Sequence, residues 1–224
     1  MNKSVLIIAA HPDDEILGCG GTAALHARDG DDVHSIIVCE GESLRYGNVP
    51  VGQLEQANAA ARHLNVKKVH WLGFRDQHLD THTLIDIVTP LEHVVDEIQP
   101  SIVYCQFGGD INRDHQILFQ AALVALRPTR AFLRSIYAFD TASSTEWGYP
   151  RSFIPDTWID ISETLDQKLE ALSCYTSELR EYPHPRSTDG LRGRAAGWGT
   201  QCCMKSAEVF MTIRSVYRNG NTPV

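Results

Sequence analysis

Two short polar runs hold the residues with the clearest capacity for chemistry. His11-Pro12-Asp13-Asp14-Glu15 follows directly on an apolar run ending at Ala10, and Asp110-Ile111-Asn112-Arg113-Asp114-His115 follows the apolar run Ser101 to Gln106. If both apolar runs are strands of one sheet, two histidines and several carboxylates meet on one rim. Two histidine nitrogens and one carboxylate oxygen, with a fourth position open, suit a catalytic zinc site, because that position holds the water that becomes the nucleophile. A neighbouring carboxylate can take the water's proton, which a carboxylate committed to the ion cannot do freely. Each run also has a structural reading. Pro12 and the acids after it can simply open a helix, and His115 alone is an ordinary histidine. Gly18-Cys19-Gly20-Gly21 suggests a phosphate-binding turn, but it does not fit GxGxxG and the acids before it repel a pyrophosphate.

The rest of the pattern says what must position these runs. Ser4 to Ala10 reads as a buried strand, a helix extends to about Arg28, and Asp32 to Cys39 is a second strand. Gly52 to Leu64 is a helix and Lys68 to Leu72 a strand. Leu84 to Ile98 is a helix ending before Pro100, Ser101 to Gln106 a strand, Asp114 to Leu126 a helix and Ser135 to Phe139 a strand. Thereafter Thr157 to Ile161 reads as an edge strand, Glu163 to Tyr175 as a helix and Ser206 to Ile213 as a last short element. Such alternation predicts an α/β fold: a Rossmann-like, mostly parallel sheet flanked by helices on both faces. In such sheets ligands sit at the carboxyl ends of the strands, where both polar runs fall.

The 224 residues, 43% hydrophobic, suit a single domain over 1–224, with a regular core to residue 140 and substrate-side and C-terminal elements from 141. A net charge of -8 argues against a nucleic-acid or anionic-lipid surface and leaves a small-molecule site open. No run is long enough to span a bilayer and none reads as a signal peptide. Six cysteines without metal or disulfide spacing point to a reduced, cytoplasmic protein.

Ala10 to Thr22 (AHPDDEILGCGGT) resembles the signature of the PIG-L/LmbE-like deacetylase family, and Gly109 to His115 (GDINRDH) resembles that family's second metal motif. The resemblance extends through Cys39 to Arg45, Gly73 to Asp80 and Tyr175 to Arg214, and so covers most of the chain. It implies zinc on His11, Asp14 and His115, with Asp13 as the base that activates the metal-bound water for attack on an acetamide. Iron(II) is also compatible with such a ligand set. Asp114 matches a position that orients a neighbouring group, and it also suits a helix N-cap.

The second motif departs from the pattern, since Asn112 stands where many members have a histidine with an oxyanion or acid role. Asn112 can donate to an oxyanion but cannot protonate an amine. His184, in Pro183-His184-Pro185-Arg186-Ser187, is the expected substitute, from its own chain or a neighbouring subunit, and the second case makes a homo-oligomer obligatory. Arg45 matches a substrate-facing arginine, Asp76 can accept sugar hydroxyls, and Arg186 is an anion contact. Trp147, Tyr149 and Trp198 suit either packing or stacking on a sugar face. The implied substrate is an N-acetylamino sugar or a small molecule bearing one. The alternatives are an amidase on a non-sugar acetamide and a non-catalytic nucleotide-binding module, which predicts no stoichiometric zinc.

Overall fold

In a computed structural model that describes residues 2–44, 46 and 51–218, the chain runs β1 (Ser4–Ala9), α1 (Asp14–Arg28), β2 (Asp32–Cys39), α2 (Gln53–His63), β3 (Lys68–Phe74), α3 (Leu84–Ile98), β4 (Ile102–Gln106), α4 (Arg113–Ala125), β5 (Ser135–Phe139), β6 (Thr157–Asp160), α5 (Leu165–Ser173), α6 (Thr188–Thr200) and β7 (Ala207–Ser215). One sheet takes all seven strands in the order β3-β2-β1-β4-β5-β7-β6. β1 to β5 pair in parallel, while β7 is antiparallel to both its neighbours and β6 forms the edge.

β1 is apolar throughout its interior because both its faces are covered. Val5, Ile7 and Ala9 enter the core shared with α1, α2, α5 and α6, whereas Leu6 and Ile8 enter the one shared with α3 and α4. Since β2 and β4 flank β1, and α1 and α4 lie on opposite faces, the sheet changes winding direction between β1 and β4. A crevice opens at the carboxyl ends of these two strands, where the two polar runs begin.

The glycines of α1 serve close packing. A Cβ on Gly18 would lie 2.1 Å from Phe139 Cδ2, and one on Gly21 would lie 2.8 Å from Ile161 Cγ2. Gly18→Ala should therefore destabilise the protein by about 1–3 kcal/mol through overpacking; a thermal midpoint equal to wild type would refute this account. A buried ion pair fastens the same helix from behind. Lys168 Nζ donates to Leu17 O at 2.8 Å and to Glu208 Oε1 at 2.6 Å, and Glu208 accepts from the Gly21 and Thr22 N–H groups at 2.9 and 2.7 Å.

α6 goes beyond the elements expected from sequence. Its segment TDGLRGRAAGWGT contains four glycines, which disfavour a helix. Tertiary contacts override that preference: Leu191, Ala195 and Gly199 form a buried stripe, and Ser187 caps the start by accepting from Gly190 N–H.

Candidate metal centre and active-site cleft

The turn after β1 delivers three functional side chains within four residues. Asp13 stands immediately before α1 at φ 91°, in the left-handed region that non-glycine residues enter at a cost of about 1–3 kcal/mol. Asp14 is the first residue of α1, and His11 precedes the turn. After β4, Asn112 caps α4 by accepting from Asp114 N–H at 2.9 Å, so the N-cap role considered for Asp114 belongs to Asn112. His115 follows in the first turn of α4.

His11 Nδ1, Asp14 Oδ2 and His115 Nε2 converge in the crevice. The pairwise separations are 3.3 Å between His11 and Asp14, 3.2 Å between His115 and Asp14, and 3.3 Å between the two imidazoles. All three residues are buried. A tetrahedral ion with bonds of 2.0–2.1 Å places its ligands about 3.3 Å apart, so the three donors fit a divalent metal such as zinc. The remaining ring nitrogens face further carboxylates, as metal-binding histidines usually do. His11 Nε2 lies 3.1 Å from Asp114 Oδ2 and 3.4 Å from Asp76 Oδ1. His115 Nδ1 lies 3.2 Å from Asp110 Oδ1, though off the line of a good hydrogen bond. Asp114 is itself fixed by Leu79 N–H at 3.1 Å, and Asp110 by Thr145 Oγ1 at 2.7 Å, Asn112 N–H at 2.8 Å and the Ser144 hydroxyl.

Charge is concentrated here. Burial works against the Asp14 carboxylate, but His115 and His11 outweigh it and hold its pKa far below the usual range. Burial likewise opposes a charge on either imidazole, yet Asp114 and Asp14 raise the pKa of His11, and Asp14 and Asp110 raise that of His115. Asp13 differs from its neighbour: burial pushes it up to about 7 against the pull of Arg186. Glu15 is pushed by burial to about 8 and accepts from the Tyr175 hydroxyl, away from the cleft lining.

The cleft has a cavity volume of about 80 Å³ and is lined by His11, Asp13, Asp14, Asp76, Asn112, His115, Glu178 and Arg186, with Thr141 to Ser144 on one wall. Arg186 Nη1 donates to Asp13 Oδ2 at 2.9 Å and to Glu178 Oε2 at 3.1 Å. His184 is half-buried and absent from the lining. Its Nδ1 accepts from Arg186 N–H at 3.1 Å, and its ring stands edge-on to Trp147 with centroids 6.1 Å apart. Arg45 lies outside the described residues. Sequence reasoning missed two groups. Asp110 was visible as an acid in the second run, but nothing showed that it would face His115. Glu178 lines the cleft and accepts from Arg186, but it carries no local sequence signal. A larger hollow at the amino ends of β1, β4 and β5, lined by Lys3, Gln99 and Arg134, includes none of the described metal-ligating clusters.

Known proteins share both the fold and the motif-bearing half of the chain. The chain is 29% identical over 181 residues to the uncharacterized deacetylase YaiS of Escherichia coli K12, covering 78% of this chain and 91% of that protein. It is 28% identical over 194 residues to the diacetylchitobiose deacetylase of Thermococcus kodakarensis, covering 80% and 71%. Among solved structures, the 4-carboxy-2-hydroxymuconate hydratase of Pseudomonas putida KT2440 superimposes with a TM-score of 0.79 at 24% identity, covering 97% of this chain and 99% of that one, so the fold alone does not fix the reaction. The family model described as PIG-L, GlcNAc-PI de-N-acetylase, matches residues 6–126, which include both polar runs and all three converging donors, and the chain belongs to that family.

Proposed function

We propose that the chain is a zinc-dependent N-deacetylase acting on the acetamide of an N-acetylamino sugar or a sugar-bearing small molecule. The observation that carries this reading is the convergence of His11 Nδ1, Asp14 Oδ2 and His115 Nε2 beside Asp13, a carboxylate outside the ligand set that lines the same open cleft. A metal held by the three donors supplies an acidified water and polarises the acetamide carbonyl. Asp13 takes the proton of the attacking water and returns it to the departing amine. Arg186 holds the Asp13 carboxylate in place through one nitrogen. Asn112 has its oxygen committed to the α4 cap, which leaves its amide N–H groups as donors to the developing oxyanion. Asp114 and Asp110 orient His11 and His115.

Asp76 accepts sugar hydroxyls in this reading, and Arg45 and Arg186 contact the substrate. His184, at the rim beside Arg186, takes the oxyanion-donor role of the imidazole missing at position 112, while Asp13 protonates the amine. Because its Nδ1 accepts from Arg186 N–H, the other nitrogen carries the proton and can donate. His184→Ala should cut kcat about 10²-fold with zinc content unchanged; wild-type kcat would remove His184 from the mechanism. Zinc is the metal of this reading; iron(II) is also compatible with two histidines and one carboxylate, and metal analysis of protein purified without added metal decides between them. We place the protein in the cytoplasm because its six cysteines are all free. No described helix is long and apolar enough to cross a membrane.

The reading is tested by acetate release from a panel of N-acetylamino sugars, using metal-stripped protein with and without zinc. Zinc-dependent release supports it. Stoichiometric zinc without release from any acetamide would overturn it and favour water addition to another electrophile, such as the activated double bond of a hydratase substrate.

A further inference from the structure

Ser143 lines the cleft at φ 68°, in the left-handed region that residues other than glycine rarely adopt. A backbone held there persists only when its surroundings fix it. Glu146 supplies the fixture. Its Oε1 accepts from Ser143 N–H at 2.8 Å and its Oε2 from Ser144 N–H at 3.3 Å. Arg194 reaches from α6 to stand 3.6 Å from the same Oε1 through Nη1, and it pairs with Asp140 through Nη2. Glu146 therefore ties the strained turn to α6, and it does so from outside the cleft, whose lining it does not join.

The turn so fixed delivers two hydroxyls to one carboxylate. Ser144 Oγ donates to Asp110 Oδ1, and Thr145 Oγ1 donates to Asp110 Oδ2 at 2.7 Å while accepting from Thr141 N–H at 2.8 Å. All three side chains are buried. The further donor to Asp110, Asn112 N–H, belongs to the same loop as Asp110 and binds Oδ1 alone. A hydroxyl on each oxygen is what sets the plane of the carboxylate, and that plane decides how Oδ1 faces His115 Nδ1 at 3.2 Å. A carboxylate beside the outer nitrogen of a metal-binding histidine orients the ring and tunes its strength as a donor.

Resting on the metal-centre reading, we infer that Glu146 is a positioning residue for His115: it holds the turn from Ser143 to Thr145, the hydroxyls of the turn hold Asp110, and Asp110 orients the imidazole. A glutamate that served the fold alone would change the melting temperature and nothing else. One that acts through this relay changes metal affinity, and its effect vanishes when Asp110 can no longer respond or when the turn no longer needs holding.

The test is zinc affinity, measured by competition with a chromophoric chelator. The proteins compared are wild type, Glu146→Ala, Asp110→Asn and the double variants Glu146→Ala/Asp110→Asn and Glu146→Ala/Ser143→Gly. Changing an outer partner of a metal-binding histidine costs about 10–100-fold in affinity, so Glu146→Ala, acting at one remove, should raise the Kd for zinc about tenfold. Added to Asp110→Asn it should cost less than about threefold more, since residues in one network are not additive. Adding Ser143→Gly to Glu146→Ala should recover most of the loss, because glycine adopts φ 68° without a tie. An unchanged Kd in Glu146→Ala, a full loss that persists in the Asp110→Asn background, or no recovery with Ser143→Gly would overturn the relay. The metal-free protein gives a second readout: the His115 ring resonances in its NMR spectrum should move in Glu146→Ala and return in Glu146→Ala/Ser143→Gly, and unmoved resonances would also overturn it. If the wild type bound no zinc while those movements appeared, the metal-centre reading would fall and the relay would stand.

Discussion

Replacing Asp13 with alanine is expected to lower acetate release about 10³-fold while the protein still binds one zinc, because the residue lies beside the ligand set and outside it. General-base groups contribute about 10²–10⁴-fold. The local geometry argues for that range. The backbone at Asp13 is held at φ 91°, which separates its side chain from that of Asp14 although the two are adjacent in sequence. Arg186 then fixes one Asp13 oxygen at 2.9 Å. In Asp13→Ala, Arg186 keeps its bond to Glu178, so the wall need not collapse. Asp13→Asn preserves the shape and removes the base, and it should match the alanine variant in kcat. Metal analysis with single-turnover kinetics checks both points. Activity within tenfold of wild type would place the base elsewhere, with Glu178 the nearest alternative.

His115→Ala should abolish both zinc binding and turnover, and its thermal signature is distinctive. Zinc at a hundredfold its Kd stabilises the folded chain by about 2.7 kcal/mol, which for a chain of this length raises the melting temperature by about 5–10 °C. That rise should be present in the wild type and absent in His115→Ala and Asp14→Ala. The shift on adding zinc is the informative quantity, since losing an imidazole beside Asp14 and Asp110 also perturbs the metal-free protein. A full zinc-induced shift in His115→Ala would mean that the ion sits elsewhere, with His11, Cys39 and Asp114 as the other described cluster to examine.

The parts of this molecule legible in its sequence are those where local pattern and tertiary role coincide. β1 reads as a strand because burial on both faces demands unbroken apolar residues. His11, Asp14 and His115 stand out because they follow strands whose carboxyl ends must meet at the change of winding. What escaped reading depends on contacts between distant segments. α6 is a poor helix by composition and forms because Leu191 and Ala195 find a core. Asn112 looked like a catalytic substitution, yet its oxygen caps α4, a role set by where the helix starts. Arg186 reads from sequence as an anion contact for the substrate, whereas in the fold it bonds carboxylates of its own chain. That the anions include Asp13 and Glu178 of its own chain is a fact of folding across 173 and 8 residues of sequence.

The buried Lys168–Glu208 pair gives the chain an order of assembly. All three proposed ligands have been synthesised once His115 has been added, and a nascent chain of that length could already meet metal ions. The helix that carries Asp14 nevertheless lacks its rear fastening until Lys168 and Glu208 arrive, because Leu17 O and the Gly21 and Thr22 N–H groups find those partners only in α5 and β7. Folding during synthesis proceeds from the N-terminus, and here the first helix awaits the last described strand. A chain interrupted before β7 would therefore display the ligand sequence without the braced helix that aims it.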